Sequence, residues 1–77
     1  MIMRTLAQIP AGTTVTVSHL ESHPDTCNRL REMGFCENAT IRCVSNGSSQ
    51  LICEVCNTRI GLNYTTANAI VVLPSQE

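Results

Sequence analysis

Cysteine is the residue type in this sequence with the most potential for chemistry. Cys53 and Cys56 are separated by two residues, a spacing found in half of a zinc site or in a redox pair. A four-ligand zinc site would need two further ligands, and the candidates are Cys27, Cys36, Cys43, His19 and His23. The sequence therefore leaves open weak Fe²⁺ or Zn²⁺ binding, or redox sensing, through Cys53 and Cys56.

The context of this cysteine pair favours a structural role instead. Residues three apart in a strand point to opposite faces, so Cys53 and Cys56 converge only if Cys56 lies in a turn. A redox pair with this spacing normally opens a helix, whereas this one opens a predicted hairpin. We therefore expect reduced thiols, some of them buried as small apolar side chains, and assign no catalytic, cofactor-binding or metal-ligating residue.

No other constellation in the sequence predicts catalysis. His19 and His23 are four apart, but His19 lies at a strand end and His23 precedes a proline, so we expect solvated histidines. No carboxylate pairs with a second carboxylate or a histidine as general acid–base catalysis requires. The chain also lacks a nucleophile elbow and a phosphate-binding glycine loop. We predict a protein that is not an enzyme.

Residues 28–35 predict a helix, whereas the pattern of most of the chain indicates β-strands. We expect the helix to run from about Asp25 or Thr26 to Met33, with Ser22 or Asp25 at its N-terminal cap. Gly34 follows where a left-handed residue ends a helix. The positions that should form its buried edge and its aromatic anchor are Cys27, Leu30, Met33 and Phe35.

Short β-branched segments surround this helix and predict about five strands. They cover residues 13–20, 40–44, 50–55, 59–62 and 70–73. Asn38 is expected to take a positive φ, Asn46-Gly47 to turn a hairpin, and Thr65 to cap a helical turn within residues 63–69. Residues 75–77 should fray. The pattern indicates a mainly β fold, a small antiparallel barrel or sandwich.

Length, charge and hydropathy exclude several classes of function. The 77 residues suffice for one small domain. The net charge is −1, with five arginines spread along the chain and no lysine, so the basic excess of a nucleic-acid binder is missing. No apolar run approaches the roughly 20 residues that span a bilayer, and the first residues do not resemble a signal peptide. We expect a soluble cytoplasmic protein with neither nucleic-acid binding nor membrane insertion.

The order of these segments resembles the FeoA-like domains of bacterial ferrous iron transport. The matching residues are Leu6 with Ile9-Pro10-Ala11-Gly12, Arg29-Leu30 with Met33-Gly34-Phe35, Asn38-Ala39-Thr40-Ile41, and Arg59-Ile60-Gly61-Leu62 with Ala67 and Ile70-Val71-Val72. The resemblance covers residues 6–73. Glu37-Asn38 replaces the usual Pro-Gly of the family, a mild change because Asn tolerates positive φ. The five cysteines exceed what the family needs.

The resemblance implies one SH3-like domain over residues 1–77, with its core at about 6–73. It implies a non-enzymatic accessory protein that works with FeoB, the membrane permease that has a GTP-binding domain. The same barrel occurs in iron-dependent repressors as an interaction module, but the missing basic face disfavours a role in repression. The contact surface stays open: candidates are residues 45–49, residues 56–58, and the outward Arg29, Arg31 and Glu32.

Overall fold

We describe the fold from a computed structural model, which covers residues 4–47 and 50–74. The predicted fraying of residues 75–77 lies outside this range. Within these described residues the chain forms six strands, two short α-helices and one 3-10 helix at Leu6–Gln8. In chain order the elements are β1 (Arg4–Thr5), β2 (Thr14–Leu20), α1 (Pro24–Glu32), β3 (Thr40–Asn46), β4 (Leu51–Val55), β5 (Thr58–Leu62), α2 (Tyr64–Ala67) and β6 (Ile70–Pro74).

The strands form one antiparallel sheet in the order β1-β6-β2-β3-β4-β5. Register shifts between Val17 and His19 in β2, and between Cys43 and Ser45 in β3, bend the sheet around its apolar face. The prediction of a small, mainly β antiparallel fold is confirmed, with six strands rather than about five. The additional strand, β1, is only two residues long and forms by pairing with β6.

The core consists of aliphatic side chains, two cysteines and one aromatic ring. Within the described residues no polar or charged side chain is buried. Phe35 has no exposed surface and is the largest core side chain. The other fully enclosed side chains are Leu6, Leu30, Ile41, Leu51, Ile70, Val15, Val17, Val55, Val72, Cys43 and Cys53.

The start of α1 differs from the prediction. Its N-cap is His23, which makes no side-chain capping hydrogen bond, and Pro24 occupies the first turn. Ser22 and Asp25 therefore do not cap the helix. Proline suits this position because its φ is preset and its missing N–H would be unpaired there anyway.

The end of α1 confirms the prediction. Met33 is the C-cap and Gly34 has φ +109°. The Phe35 N–H donates to the Leu30 carbonyl at 2.9 Å, and the Gly34 N–H donates to the Arg31 carbonyl at 3.1 Å. This is the bonding of a Schellman motif, and it directs Phe35 from the helix end into the core.

Of the predicted turn features, the positive φ of Asn38 and the β3–β4 hairpin are confirmed, whereas the predicted cap of α2 is wrong. Asn38 has φ +73°, as expected. β3 and β4 do form a hairpin, but Asn46 belongs to β3 and pairs with Leu51, so it is not a central turn residue. The cap of α2 is Asn63, whose side chain accepts the Thr66 N–H at 2.8 Å, so the prediction of Thr65 was wrong.

No helix in the described parts of the chain is long and apolar enough to cross a membrane.

Substitution of Gly34 should test the importance of the helix end. A Cβ at Gly34 would lie 3.4 Å from a Val55 methyl and 3.5 Å from the Cys56 sulfur, whereas one at Gly12, also at positive φ, would have no neighbour within 4 Å. We expect alanine at either position to lower the free energy of unfolding by about 1–2 kcal/mol through backbone strain. Valine should cost clearly more at Gly34 than at Gly12, because its methyl groups meet Val55. Urea unfolding measures both; equal losses for the two valines would contradict this packing.

The cap of α2 offers a second test. Asn63→Ala should lower the free energy of unfolding by about 1 kcal/mol, because the Thr66 N–H loses its acceptor. Thr65→Ala is the matched control, since Thr65 is also exposed but makes no capping bond. Equal effects of the two substitutions in thermal or urea unfolding would count against the assignment.

Candidate functional site

The structure separates the two cysteines that the sequence offered as a metal or redox pair. Cys53 lies within β4 with no exposed surface, and Cys56 is exposed in the turn that follows. The pair does not fit a shared metal ion, because one thiol faces the core and the other faces solvent. Across residues 4–47 and 50–74, no group of three or more His, Cys, Asp or Glu side chains is arranged to hold a metal ion.

Cys53 instead lies opposite Cys43 on the neighbouring strand. Both are fully buried, and the Cys43 thiol donates to the Ile9 carbonyl at 3.5 Å. Burial raises the pKa of the Cys43 thiol. It raises the pKa of Cys53 to about 12, and the Cys43 thiol adds to the increase. These two thiols pack as apolar side chains, as expected for some of the cysteines, and their chemistry is suppressed because the reactive thiolate is disfavoured.

Cys27 also packs as predicted. It is 7% exposed on α1, and its thiol donates to the Ser22 carbonyl at 3.5 Å.

The two exposed cysteines, Cys36 and Cys56, both lie beside Gly34. The Cys36 thiol is 3.9 Å from the Gly34 carbonyl oxygen, and the Cys56 sulfur lies 3.5 Å from the position that a Cβ at Gly34 would occupy. Sequence spacing does not indicate this proximity, because it arises from packing of the β4–β5 turn onto the end of α1.

The two histidines do not form a joint site. His19 Nε2 lies 2.8 Å from Glu21 Oε2, and His19 Nδ1 lies 3.2 Å from the Ser18 hydroxyl. His23 is exposed at the start of α1. Their spacing of four residues has no helical meaning here, because His19 is on a strand.

Two of the arginines form ion pairs with glutamates at the surface. Arg31 lies 3.1 Å from Glu37, and Arg42 lies 4.0 Å from Glu54. The hydrogen bond between Arg31 and Glu37 raises the pKa of the arginine and lowers that of the carboxyl group. Both partners are well exposed, so the pair contributes little to stability.

Three other arginines are exposed and have no ion-pair partner within the described residues. These are Arg4, on β1, Arg29, on α1, and Arg59, on β5. A groove of about 270 Å³ lies between α1 and the end of β5, and the Arg29 side chain lines it. Its apolar lining comes from Leu30, Met33 and Leu62. The sequence marked Arg29 as an outward residue but contained no signal for the groove, which requires two distant elements to meet.

The fold identifies the structural class of this protein, and a family comparison then identifies its family. A small curved antiparallel sheet with a compact apolar core and two short α-helices defines an SH3-like fold. The model of the FeoA domain family matches residues 4–74. The chain therefore belongs to the FeoA family.

Solved structures agree with this assignment. FeoA of Stenotrophomonas maltophilia, solved as a zinc complex, is 31% identical with a TM-score of 0.81, over 90% of this chain and 88% of that chain. That protein is described as a unique procaryotic SH3 domain protein and as a candidate bacterial ferrous iron transport activating factor. No curated protein sequence matches the chain significantly.

Two more distant structures share the fold. An iron uptake regulatory protein, also a FeoA, is 19% identical with a TM-score of 0.86, over 95% of this chain and 97% of that chain. A manganese-dependent transcriptional repressor is 18% identical with a TM-score of 0.85, over 95% of this chain and 42% of the repressor. The predicted SH3-like fold is confirmed.

Thiol reactivity should report the burial pattern. In native protein, Cys36 and Cys56 should react rapidly with a thiol reagent such as DTNB, while Cys43 and Cys53 should react only on unfolding. The variant Cys36→Ser/Cys56→Ser should lose the fast phase. Adding Zn²⁺ or Fe²⁺ under reducing conditions should not protect Cys53, whose reactivity is already set by burial. A fast-reacting Cys53 in the native protein would contradict the structure.

Stability should also fall at alkaline pH. An unfolded thiol ionises near pH 8.5, but Cys53 in the folded protein keeps its proton up to about pH 12. Between these values the unfolded state binds fewer protons, so the free energy of unfolding decreases as pH rises, by up to about 1.4 kcal/mol per pH unit. Urea unfolding between pH 8 and 11 measures this slope. It should become shallower in Cys53→Ala.

Proposed function

We propose that this protein is a non-enzymatic accessory protein of ferrous iron uptake that acts in the cytoplasm by binding a FeoB-type permease through its GTPase domain. The observation that carries the proposal is the match of the FeoA domain model to residues 4–74. It is supported by 31% identity to a protein described as a candidate ferrous iron transport activating factor. We take residues 1–77 as one domain of this kind, with its core at about 6–73.

The distribution of polar groups supports a binding role. The described core contains no buried polar side chain, and the described charged residues lie at the surface or are only partly buried. Interfaces favour arginine, which combines a large contact area with several hydrogen-bond donors. Arg29 and Arg59 have both the exposure and the freedom from intramolecular pairing, within the described chain, that a partner contact needs.

The cysteine geometry argues against the alternative of metal binding or redox sensing through Cys53 and Cys56. One of the two thiols is enclosed in the core, and burial raises its pKa to about 12. A metal ligand or redox thiol requires the thiolate at ordinary pH and access for its reaction partner. Neither condition is met at Cys53.

A binding experiment with purified proteins tests the proposal. The full chain should bind the soluble GTPase domain of a FeoB-type permease from the same genome, with a Kd on the order of tens of micromolar or tighter, as suits a transient regulatory interface. Isothermal titration calorimetry measures the affinity. Circular dichroism of the same sample shows that the protein is folded.

The control is the isolated GTPase domain of an unrelated GTPase, which should not bind. Absence of binding to the permease domain by a demonstrably folded protein, with nucleotide-free, GDP-bound and GTP-analogue-bound forms all tried, would overturn the proposal. A low-salt gel shift with duplex DNA should show no complex, because the chain has a net charge of −1.

A further inference from the structure

Among residues 4–47 and 50–74, the last strand in the sheet order, β5, has one side without a strand neighbour. It pairs with β4 on its other side and ends the sheet. The strand at the other edge of the sheet, β1, is only two residues long, whereas β5 has five residues. Natural proteins usually shorten, bend or cover such edges, because an open edge recruits other strands.

The hairpin turn decides which residues of β5 face outward. Cys56 and Asn57 form the two-residue turn, with φ +53° and +62°, and Val55 pairs with Thr58. In a two-residue hairpin of this type the pair next to the turn is hydrogen-bonded, and bonded pairs then alternate along the strands. Thr58, Ile60 and Leu62 therefore bond to β4.

The remaining residues, Arg59 and Gly61, direct their N–H and C=O groups away from the sheet. Both are exposed, and no backbone hydrogen bond reaches them from elsewhere in residues 4–47 and 50–74. The N–H and C=O groups of Arg59 and Gly61 thus provide two donors and two acceptors, spaced so that an added antiparallel or parallel strand can bond to them. Gly61 has no side chain to obstruct the approach, and only the Gln50 amide lies against its face.

The groove described above continues from this edge. Gly61 and Leu62 form one wall, and Leu30 and Met33 of α1 form the other. Side chains of an added strand would alternate, one set entering this apolar groove and the other lying beside Arg59 on the outer face. Arg29 lines the groove, and Arg59 lies on the edge itself.

We infer that the β5 edge is a docking site for an extended segment of a partner protein, in which apolar side chains alternate with carboxylates. The backbone groups of Arg59 and Gly61 supply the hydrogen bonds, and Arg29 and Arg59 pair with the carboxylates. Met33, which is only partly buried, receives the apolar side chains above a floor formed by the buried Leu30 and Leu62. This is strand addition, in which the main chain provides affinity and the alternate side chains provide specificity. The inference rests on the proposed function only for the identity of the partner.

Charge decides between this occupant and a second copy of the chain. Two antiparallel β5 edges would set Arg59 of one copy opposite either Gly61 or Arg59 of the other. Neither register gives Arg59 a carboxylate partner, and the second places like charges opposite each other, which is destabilising. An acidic segment places opposite charges at the same positions. The observations therefore favour an acidic partner strand over self-association.

A synthetic peptide tests the docking site independently of any permease. The probe is a peptide of about seven residues that alternates glutamate with leucine, long enough to pair with the whole edge. Its control alternates lysine with leucine. Fluorescence anisotropy of the labelled peptides should show binding of the acidic probe and at least about fivefold weaker binding of the basic one.

Matched variants separate the backbone contribution from that of the side chain. Gly61→Pro removes the outward N–H and should weaken binding of the acidic peptide about tenfold, whereas Gly61→Ala keeps the N–H and should change it by less than about threefold. Either substitution at Gly61 displaces the Gln50 side chain, so comparing Gly61→Pro with Gly61→Ala removes the contribution of that displacement. Arg59→Glu should weaken binding about fivefold, and Arg4→Glu, an exposed arginine on the opposite edge, should not.

Hydrogen exchange provides the readout that does not depend on affinity. In the free protein the Arg59 and Gly61 amides should exchange rapidly, because they are unpaired, while those of Ile60 and Leu62 should be protected. Saturating acidic peptide should slow the Arg59 and Gly61 amides by at least about tenfold. Unchanged exchange at saturation would overturn the inference, as would equal peptide binding by Gly61→Pro and Gly61→Ala.

The permease domain gives the final comparison. If it binds the wild type but binds Gly61→Pro and Gly61→Ala equally, the proposed function stands and the β5 edge is excluded as the docking site. If the peptide binds in the predicted way and the permease domain does not bind at all, the docking site stands and the proposed partner is wrong. A concentration-dependent dimer that Gly61→Pro abolishes would overturn the inference in favour of self-association.

Discussion

The fold depends on the left-handed backbone of Gly34, which ends α1 and turns Phe35 into the core. A chain of this length has little surface to bury, and Phe35 is its one phenylalanine. The Schellman bonds from Gly34 and Phe35 back to α1 pair the carbonyl groups that a helix end would otherwise leave exposed. The same glycine lets Val55 and Cys56 approach closely. One residue thus joins the helix to the β4–β5 hairpin.

The cysteines show how environment decides the role of a reactive residue type. Cys43 and Cys53 face each other on paired strands, and both are buried as neutral thiols. Cys36 and Cys56 are exposed, and both lie close to Gly34. A cysteine-rich composition therefore does not by itself indicate metal chemistry, because burial raises thiol pKa and removes access.

The surface divides into a part that is internally paired and a part that is open. Arg31 and Arg42 have carboxylate partners nearby, whereas Arg29 and Arg59 have none among the described residues. Arg29 and Arg59 lie at the groove beside α1 and at the free edge of β5, whereas Arg4, also without an ion-pair partner among the described residues, lies on the opposite edge of the sheet. The proposed accessory role requires contacts with a partner, and the β5 edge combines unused backbone hydrogen-bonding groups with unpaired charge.

The sequence by itself determined the class of fold, the burial of Cys27 and Leu30 on α1 and the positive φ of Gly34 and Asn38, because these follow from local periodicity and backbone preference. Met33, also predicted to be buried, is only partly so. It did not determine the cap of α2 or the start of α1, where Thr65 and Asp25 compete closely with Asn63 and with Pro24. Nor did it indicate the two-residue β1, which exists only through its pairing with β6. Only the tertiary structure decided that Cys53 faces Cys43 rather than Cys56, and that α1 and β5 enclose a groove. Those contacts join residues far apart in the chain, and local spacing carries no information about which distant surfaces meet.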